Sequence, residues 1–258
     1  MSIPFYVSPE QLTKDRAEFA RKGIARGRPV LVASCAEGVL FVAENPSPSL
    51  HKIAEIHDRI GFAGVGKYHE FETLRVAGVR YADLRGYAYD RADVAARALA
   101  GAYAQTLGAT FAQESKPFEV EILLAQVGRE PGADEIYRVG YDGSVLDEPG
   151  YAVAAGAHDQ VSAALRDELR PDLPLAQTLA LAARALRRDD VPPAPLEAAL
   201  LDRSRPRRTF RRLTTDLTGD AAGDQAGGAT GPATARGGAA DHEDRRPRST
   251  NPQTQRGS

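Results

Sequence analysis

Val30-Leu31-Val32-Ala33-Ser34-Cys35, then Ala36-Glu37-Gly38, then Val39-Leu40-Phe41-Val42-Ala43: two apolar runs joined by a short glycine-containing turn read as a β-hairpin. Neither run alternates with polar residues. A strand that is apolar on both sides needs cover on both faces, so this hairpin predicts a buried sheet rather than one with a wet side.

Further along the chain, Ile53 to Ile56 and Ile60 to Val65 give two more short strands. A helical stretch follows, with Phe71, Leu74, Gly78 and Tyr81 on one face. A second helix spans about 91 to 111, with Leu99, Tyr103, Leu107 and Phe111 at four-residue spacing. Phe118-Glu119-Val120-Glu121-Ile122 alternates and predicts a strand. Ile136 to Tyr141 is expected to pair with Val145 through an Asp142-Gly143 turn, and Tyr151 to Ala155 forms another strand. Two helices are expected over 157–169 and 174–188. Leu196 to Leu201 fits either strand or helix. Strands, two helices, strands, two helices is the order of an α+β layered domain, not of a wound βαβ sheet.

On the N-terminal side, Ser8-Pro9-Glu10-Gln11 is a capping-box pattern, with Pro at the first helical position. It predicts a helix over 9–22 closed at Gly23, with Leu12 and Phe19 two turns apart on one face. On the C-terminal side, residues 219–258 contain almost nothing apolar larger than Ala, with five Asp/Glu balanced by five Arg. Such a segment cannot bury enough surface to offset its ordering entropy, which predicts a disordered tail. The division expected is therefore residues 1–7, a domain over 8–218, and the tail over 219–258.

Composition narrows the function. The chain has 258 residues, with 33 Lys plus Arg against 35 Asp plus Glu. That balance lacks the strongly basic field of a general nucleic-acid binder. The single cysteine, Cys35, permits no internal disulfide and fits a reducing cytoplasm. No apolar run reaches transmembrane length, and the N-terminal residues lack the pattern of a signal peptide. The histidines at 51, 57, 69, 158 and 242 make no metal motif, and no cofactor is expected.

Several segments resemble actinobacterial proteasome α subunits. They are Pro4-Phe5-Tyr6-Val7-Ser8-Pro9-Glu10-Gln11, Lys14-Asp15-Arg16-Ala17-Glu18-Phe19-Ala20-Arg21-Lys22-Gly23-Ile24-Ala25-Arg26-Gly27, Lys52-Ile53-Ala54-Glu55-Ile56-His57-Asp58-Arg59-Ile60-Gly61, and Arg203-Ser204-Arg205-Pro206-Arg207-Arg208-Thr209-Phe210-Arg211-Arg212. The resemblance covers about residues 1 to 213. It implies the four-layer αββα sandwich of the N-terminal-nucleophile hydrolase type. It also implies a non-catalytic subunit of a threonine-protease complex, forming homoheptameric outer rings around rings of the catalytic β subunit. By the same resemblance, Leu12 and Phe19 serve ring assembly. Ser2, Ile3, Pro4, Phe5, Tyr6 and Val7 form an entry gate. Lys52 receives the C-terminus of a hexameric ATPase, which delivers substrates tagged with a ubiquitin-like protein. Active relatives expose a Thr behind a Gly at the start of the first strand. Here Gly27-Arg28 stands in that place, with Glu44 where the acid would be and Lys52 near the activating Lys. Arg28 cannot act as a nucleophile.

Two other readings compete. Gly61-Phe62-Ala63-Gly64-Val65-Gly66-Lys67 matches G-x-x-x-x-G-K and suggests a P-loop-like nucleotide site, with Ala198 to Asp202 as a second strand motif. Tyr68 follows, where a magnesium-binding hydroxyl should be. The alternative to a P-loop is a glycine-rich edge strand running into a helix. The arginines at 203, 205, 207, 208, 211 and 212 form a basic cluster that suggests nucleic-acid binding, but with no aromatic among them except Phe210 and no net basic field it reads as a solvated or subunit-contacting surface. Cys35 reads as a core filler.

Overall fold

The computed structural model of the chain describes residues 8–155, 158–187 and 192–213. The expected gate over 1–7 and the tail over 219–258 lie outside the described residues.

Two five-stranded antiparallel sheets form the centre. The first contains β1 (Val30–Cys35), β2 (Gly38–Glu44), β8 (Tyr151–Ala154), β9 (Leu196–Asp202) and β10 (Phe210–Arg212), in the order β10-β9-β2-β1-β8. The second runs β3 (Ile53–His57), β4 (Ile60–Gly66), β5 (Val120–Gln126), β6 (Glu135–Val139) and β7 (Val145–Asp147) in chain order. Helices α2 (Tyr68–Ala88) and α3 (Ala96–Gln113) cover the second sheet; α4 (His158–Leu165) and α5 (Leu175–Leu186) cover the first. α1 (Pro9–Ala25) precedes them all.

The apolar hairpin explains the layering. Side chains alternate faces along a strand. Val30, Val32, Val39, Phe41 and Ala43 point into the inter-sheet core with Ala63, Val65, Leu123 and Ala125. Leu31, Cys35, Leu40 and Val42 point outward to Leu179, Ala182 and Leu186 of α5. The second sheet sends Phe62, Ile122 and Leu124 outward to Phe71, Leu74, Leu99 and Tyr103. Three cores between four layers make the αββα sandwich.

Local readings differ in instructive places. Ser8 caps α1, its hydroxyl accepting from the Gln11 amide at 3.2 Å. Gln11 does not return the bond; its side chain donates to Asp15 at 2.7 Å. α1 also does not stop at Gly23. It runs to Ala25, and a side chain at 23 would collide with the Glu119 carboxylate. That glycine marks a close approach, not a cap. Arg91–Asp93 is a separate 3-10 turn capped by Asp90, and α3 starts only at Ala96. The β6–β7 connection is longer than a two-residue turn, with Gly140 donating to the Ser144 carbonyl and Gly143 at φ 82°. α4 ends at Leu165, short of the expected 169. Leu196–Asp202 is a strand, and the basic segment after it contains β10, which pairs with β9.

Candidate functional site

Antiparallel pairing gathers the candidate residues at one end of the sandwich. Val30 pairs with Ala43, and Ala43 pairs with Glu197. Arg28, just ahead of β1, therefore meets Glu44 at the end of β2. Ile53 at the start of β3 packs into the same inter-sheet core, which brings Lys52 alongside. Arg28, Glu44 and Lys52, singled out from the sequence, are neighbours.

Their contacts define the chemistry. Arg28 Nη1 donates to Glu44 Oε2 at 2.5 Å, and Nη2 donates to the Pro192 carbonyl at 3.1 Å. The Glu44 side chain is 4% exposed, so this pair is largely out of water. Lys52 Nζ donates to the Arg28 carbonyl at 2.7 Å. Lys52 forms an ion pair with neither nearby Glu44 nor Glu55, because Glu44 is taken by Arg28 and Glu55 by Arg208. Burial pushes the Lys52 ammonium down to about 8, with Arg28 acting in the same direction and Glu197 and Glu44 opposing.

One residue of this site escaped the sequence reading. Glu197 accepts from the Lys52 amide at 2.9 Å, the Ile53 amide at 3.2 Å, Asn45 Nδ2 at 2.7 Å and Arg212 Nη1 at 2.9 Å. It also faces His51 at 3.3 Å. It ties the segment carrying Lys52 to β9 and β10. The available signal was a lone carboxylate inside the otherwise apolar run Leu196 to Leu201. Beside it lies a groove of about 450 Å³, walled by Pro46, Pro48, Pro195, Leu196 and Leu213.

A guanidinium stays protonated and has no lone pair to attack a carbonyl. Arg28, Glu44 and Lys52 thus stand together with no hydroxyl or thiol side chain among them.

The P-loop reading fails on geometry. Gly61 to Gly66 is not a loop and not an edge: β4 pairs with β3 on one side and β5 on the other, so its amides belong to the sheet. A Cβ at Gly61 would lie 2.6 Å from the Phe41 ring, and one at Gly64 would lie 2.6 Å from Phe71. These glycines admit neighbouring rings. Lys67 reaches Glu119 at 2.5 Å.

α1 is fixed to the domain by Arg16, whose Nη1 donates to the Phe111 and Ala112 carbonyls at 3.1 Å each, at the C-terminal end of α3. Ala20 and Ile24 are buried beneath it. Leu12 and Phe19 are 45% and 47% exposed. Among the described residues no three metal-ligating side chains converge, and no helix is long and apolar enough to cross a membrane.

Residues 24–188 match the proteasome subunit family. The chain is 61% identical over 223 residues to "Proteasome subunit alpha" of Jonesia denitrificans, covering 83% of this chain and 94% of that protein. It is 60% identical over 225 residues to the protein of the same name from Kineococcus radiotolerans, covering 83% and 95%. With that from Sanguibacter keddieii it shares 60% over 220 residues, covering 83% and 86%.

Proposed function

This chain belongs to the proteasome subunit family, and we propose that it is a non-catalytic α-type subunit that builds the outer heptameric rings of a cytoplasmic proteasome core. The observation that carries this reading is the Arg28–Glu44 pair. A permanently charged group, held by a buried carboxylate, fills the position a nucleophilic hydroxyl would need. The names of the relatives support the α assignment.

The remaining roles follow from that one. α1 packs between neighbouring subunits, and its exposed Leu12 and Phe19 supply an apolar stripe for the contact. Residues 2–7 converge at the ring axis and restrict entry. Lys52 takes the C-terminal carboxylate of a hexameric ATPase through a charge-assisted hydrogen bond. That ATPase feeds in substrates tagged with a ubiquitin-like protein, and the catalytic β subunits cleave them.

Intact-mass measurement and a peptidase assay on the purified chain test the core of this reading. The expected result is an unprocessed N-terminus and no peptide hydrolysis without the β subunit. A product beginning at Arg28, or hydrolysis by the pure chain, would overturn it.

A further inference from the structure

We propose that docking of a partner carboxylate at Lys52 is coupled to the uptake of a proton, so that docking weakens as the solution turns alkaline. The inference rests on the docking role given to Lys52 above and adds to it a means of regulation.

The geometry is that of a cation left without a counter-ion. Among the described residues, Lys52 Nζ has one acceptor, the Arg28 carbonyl. Every charged group facing it among the described residues is engaged elsewhere. From the segment before β1, the Arg28 guanidinium adds positive charge and is bound to Glu44. From β2, Glu44 is therefore spent. From β9, Glu197 is occupied by two backbone amides, Asn45 and Arg212, with His51 at its edge. A partly buried ammonium with no anion of its own favours the neutral amine, because burial penalises the charged form. Burial brings this amine down to about 8, within reach of ordinary solution conditions. An incoming carboxylate supplies the missing anion and stabilises the charged form. The free site is thus a mixture of amine and ammonium, and the occupied site is ammonium. Binding draws the difference from solvent, and the proton ends on Nζ.

The expected size follows. If only the ammonium form binds, apparent affinity scales with its fraction, and a group titrating near 8 gives about tenfold weaker docking at pH 9 than at pH 7. At pH 8 each docking event takes up about half a proton. The peptide carboxylate titrates far below this range, so it does not supply the proton.

The test is calorimetry on the assembled particle with an N-acetylated peptide carrying the partner ATPase's C-terminal residues, its C-terminal amide serving as the control. Titrations at pH 7, 8 and 9, in buffers of different ionisation enthalpy, read affinity and proton uptake together. Weakening of about tenfold with uptake near pH 8 supports the proposal. Docking that is lost in Lys52→Ala but is flat with pH and proton-neutral in the parent overturns the coupling and leaves the docking role standing. Unchanged docking to Lys52→Ala overturns the docking role itself, and this inference with it. Lys52→Arg, charged throughout the range, should dock without pH dependence wherever it docks.

Discussion

Two charge clusters lie at the same end of the sandwich and are built on different accounts. Around Glu119, two buried carboxylates face two lysines. Lys116 reaches Glu70 at 2.5 Å, Lys67 reaches Glu119 at 2.5 Å, and Glu70 Oε2 accepts the Glu119 amide at 2.6 Å. Acid and base are matched, and Gly23 lets α1 settle directly over the Glu119 carboxylate. Around Lys52 the matching among the described residues is incomplete: Arg28 closes on Glu44, Arg212 and His51 attend Glu197, and the Lys52 ammonium is left with a carbonyl. A cluster that only joins elements neutralises itself. A cluster that retains a partly buried, unmatched charge is less stable than it could be, and that is the condition in which an external anion is worth binding.

The largest expected effect breaks the matched part of the Lys52 cluster. Arg28→Ala leaves the Glu44 carboxylate buried without a cation, and breaking such a pair costs about 3–5 kcal/mol. Urea denaturation of the variant should show a loss of that order, with most of it recovered in Arg28→Ala/Glu44→Gln, which removes the stranded charge. A single variant as stable as the parent would mean that Glu44 is solvated and the cluster open throughout.

The next effect is smaller and falls on the other cluster. Glu70→Ala removes the acceptor of the buried Glu119 amide, and an unsatisfied buried donor costs about 1–3 kcal/mol. Lys116 is half-exposed and can turn to water, so its loss of a partner adds little. The same cluster gives a pH signature. Burial alone would raise the Glu119 carboxyl, but the Lys67 and Lys116 ammoniums outweigh it and hold it below the usual range. A carboxylate held low in the folded state contributes stability above its unfolded pKa and loses it as pH falls through the folded value. Acid titration of the parent should therefore be steeper than that of Glu119→Gln below about pH 4.3. Superimposable acid curves would assign the linkage to other carboxylates.

How far these clusters were legible depends on what fixes them. The four layers were readable because alternation and its absence are local. Val30 to Ala43 could only be a hairpin covered on both faces, and the helices betrayed their apolar stripes. Arg28, Glu44 and Lys52 were readable together because a resemblance aligned them with a known constellation. Glu197 and Glu119 were not, since their roles depend on pairing partners 145 and 49 residues away in the chain. Gly23 was misread for the same reason. A glycine at a plausible helix end looks like a cap, and only the approach of Glu119 reveals why it is there. The G-x-x-x-x-G-K pattern is the converse case: its glycines answer to Phe41 and Phe71 across layers, which no local motif encodes.

The smallest effect is the most discriminating, because it should have the opposite sign. Lys52→Met replaces the unmatched ammonium with an apolar chain that is unbranched and adaptable. Removing a matched charge leaves its partner stranded, whereas removing an unmatched one strands nothing. The Arg28 carbonyl loses a donor, a net cost of about 1 kcal/mol, while the burial penalty of the ammonium disappears. At pH 7 the variant should be as stable as the parent or more so. The pH dependence fixes the cause. Below about 8 the parent carries the charged lysine in both folded and unfolded states, and the folded state bears the whole penalty. Between about 8 and the unfolded value near 10.4, the folded chain has released its proton and the unfolded chain has not, so parent stability rises with pH relative to the variant. Thermal melts of both proteins at pH 7, 8, 9 and 10 should show the variant's advantage shrinking across the series. A variant destabilised at pH 7, by a margin that does not change with pH, would show that Lys52 is matched after all and erase the difference between the two clusters.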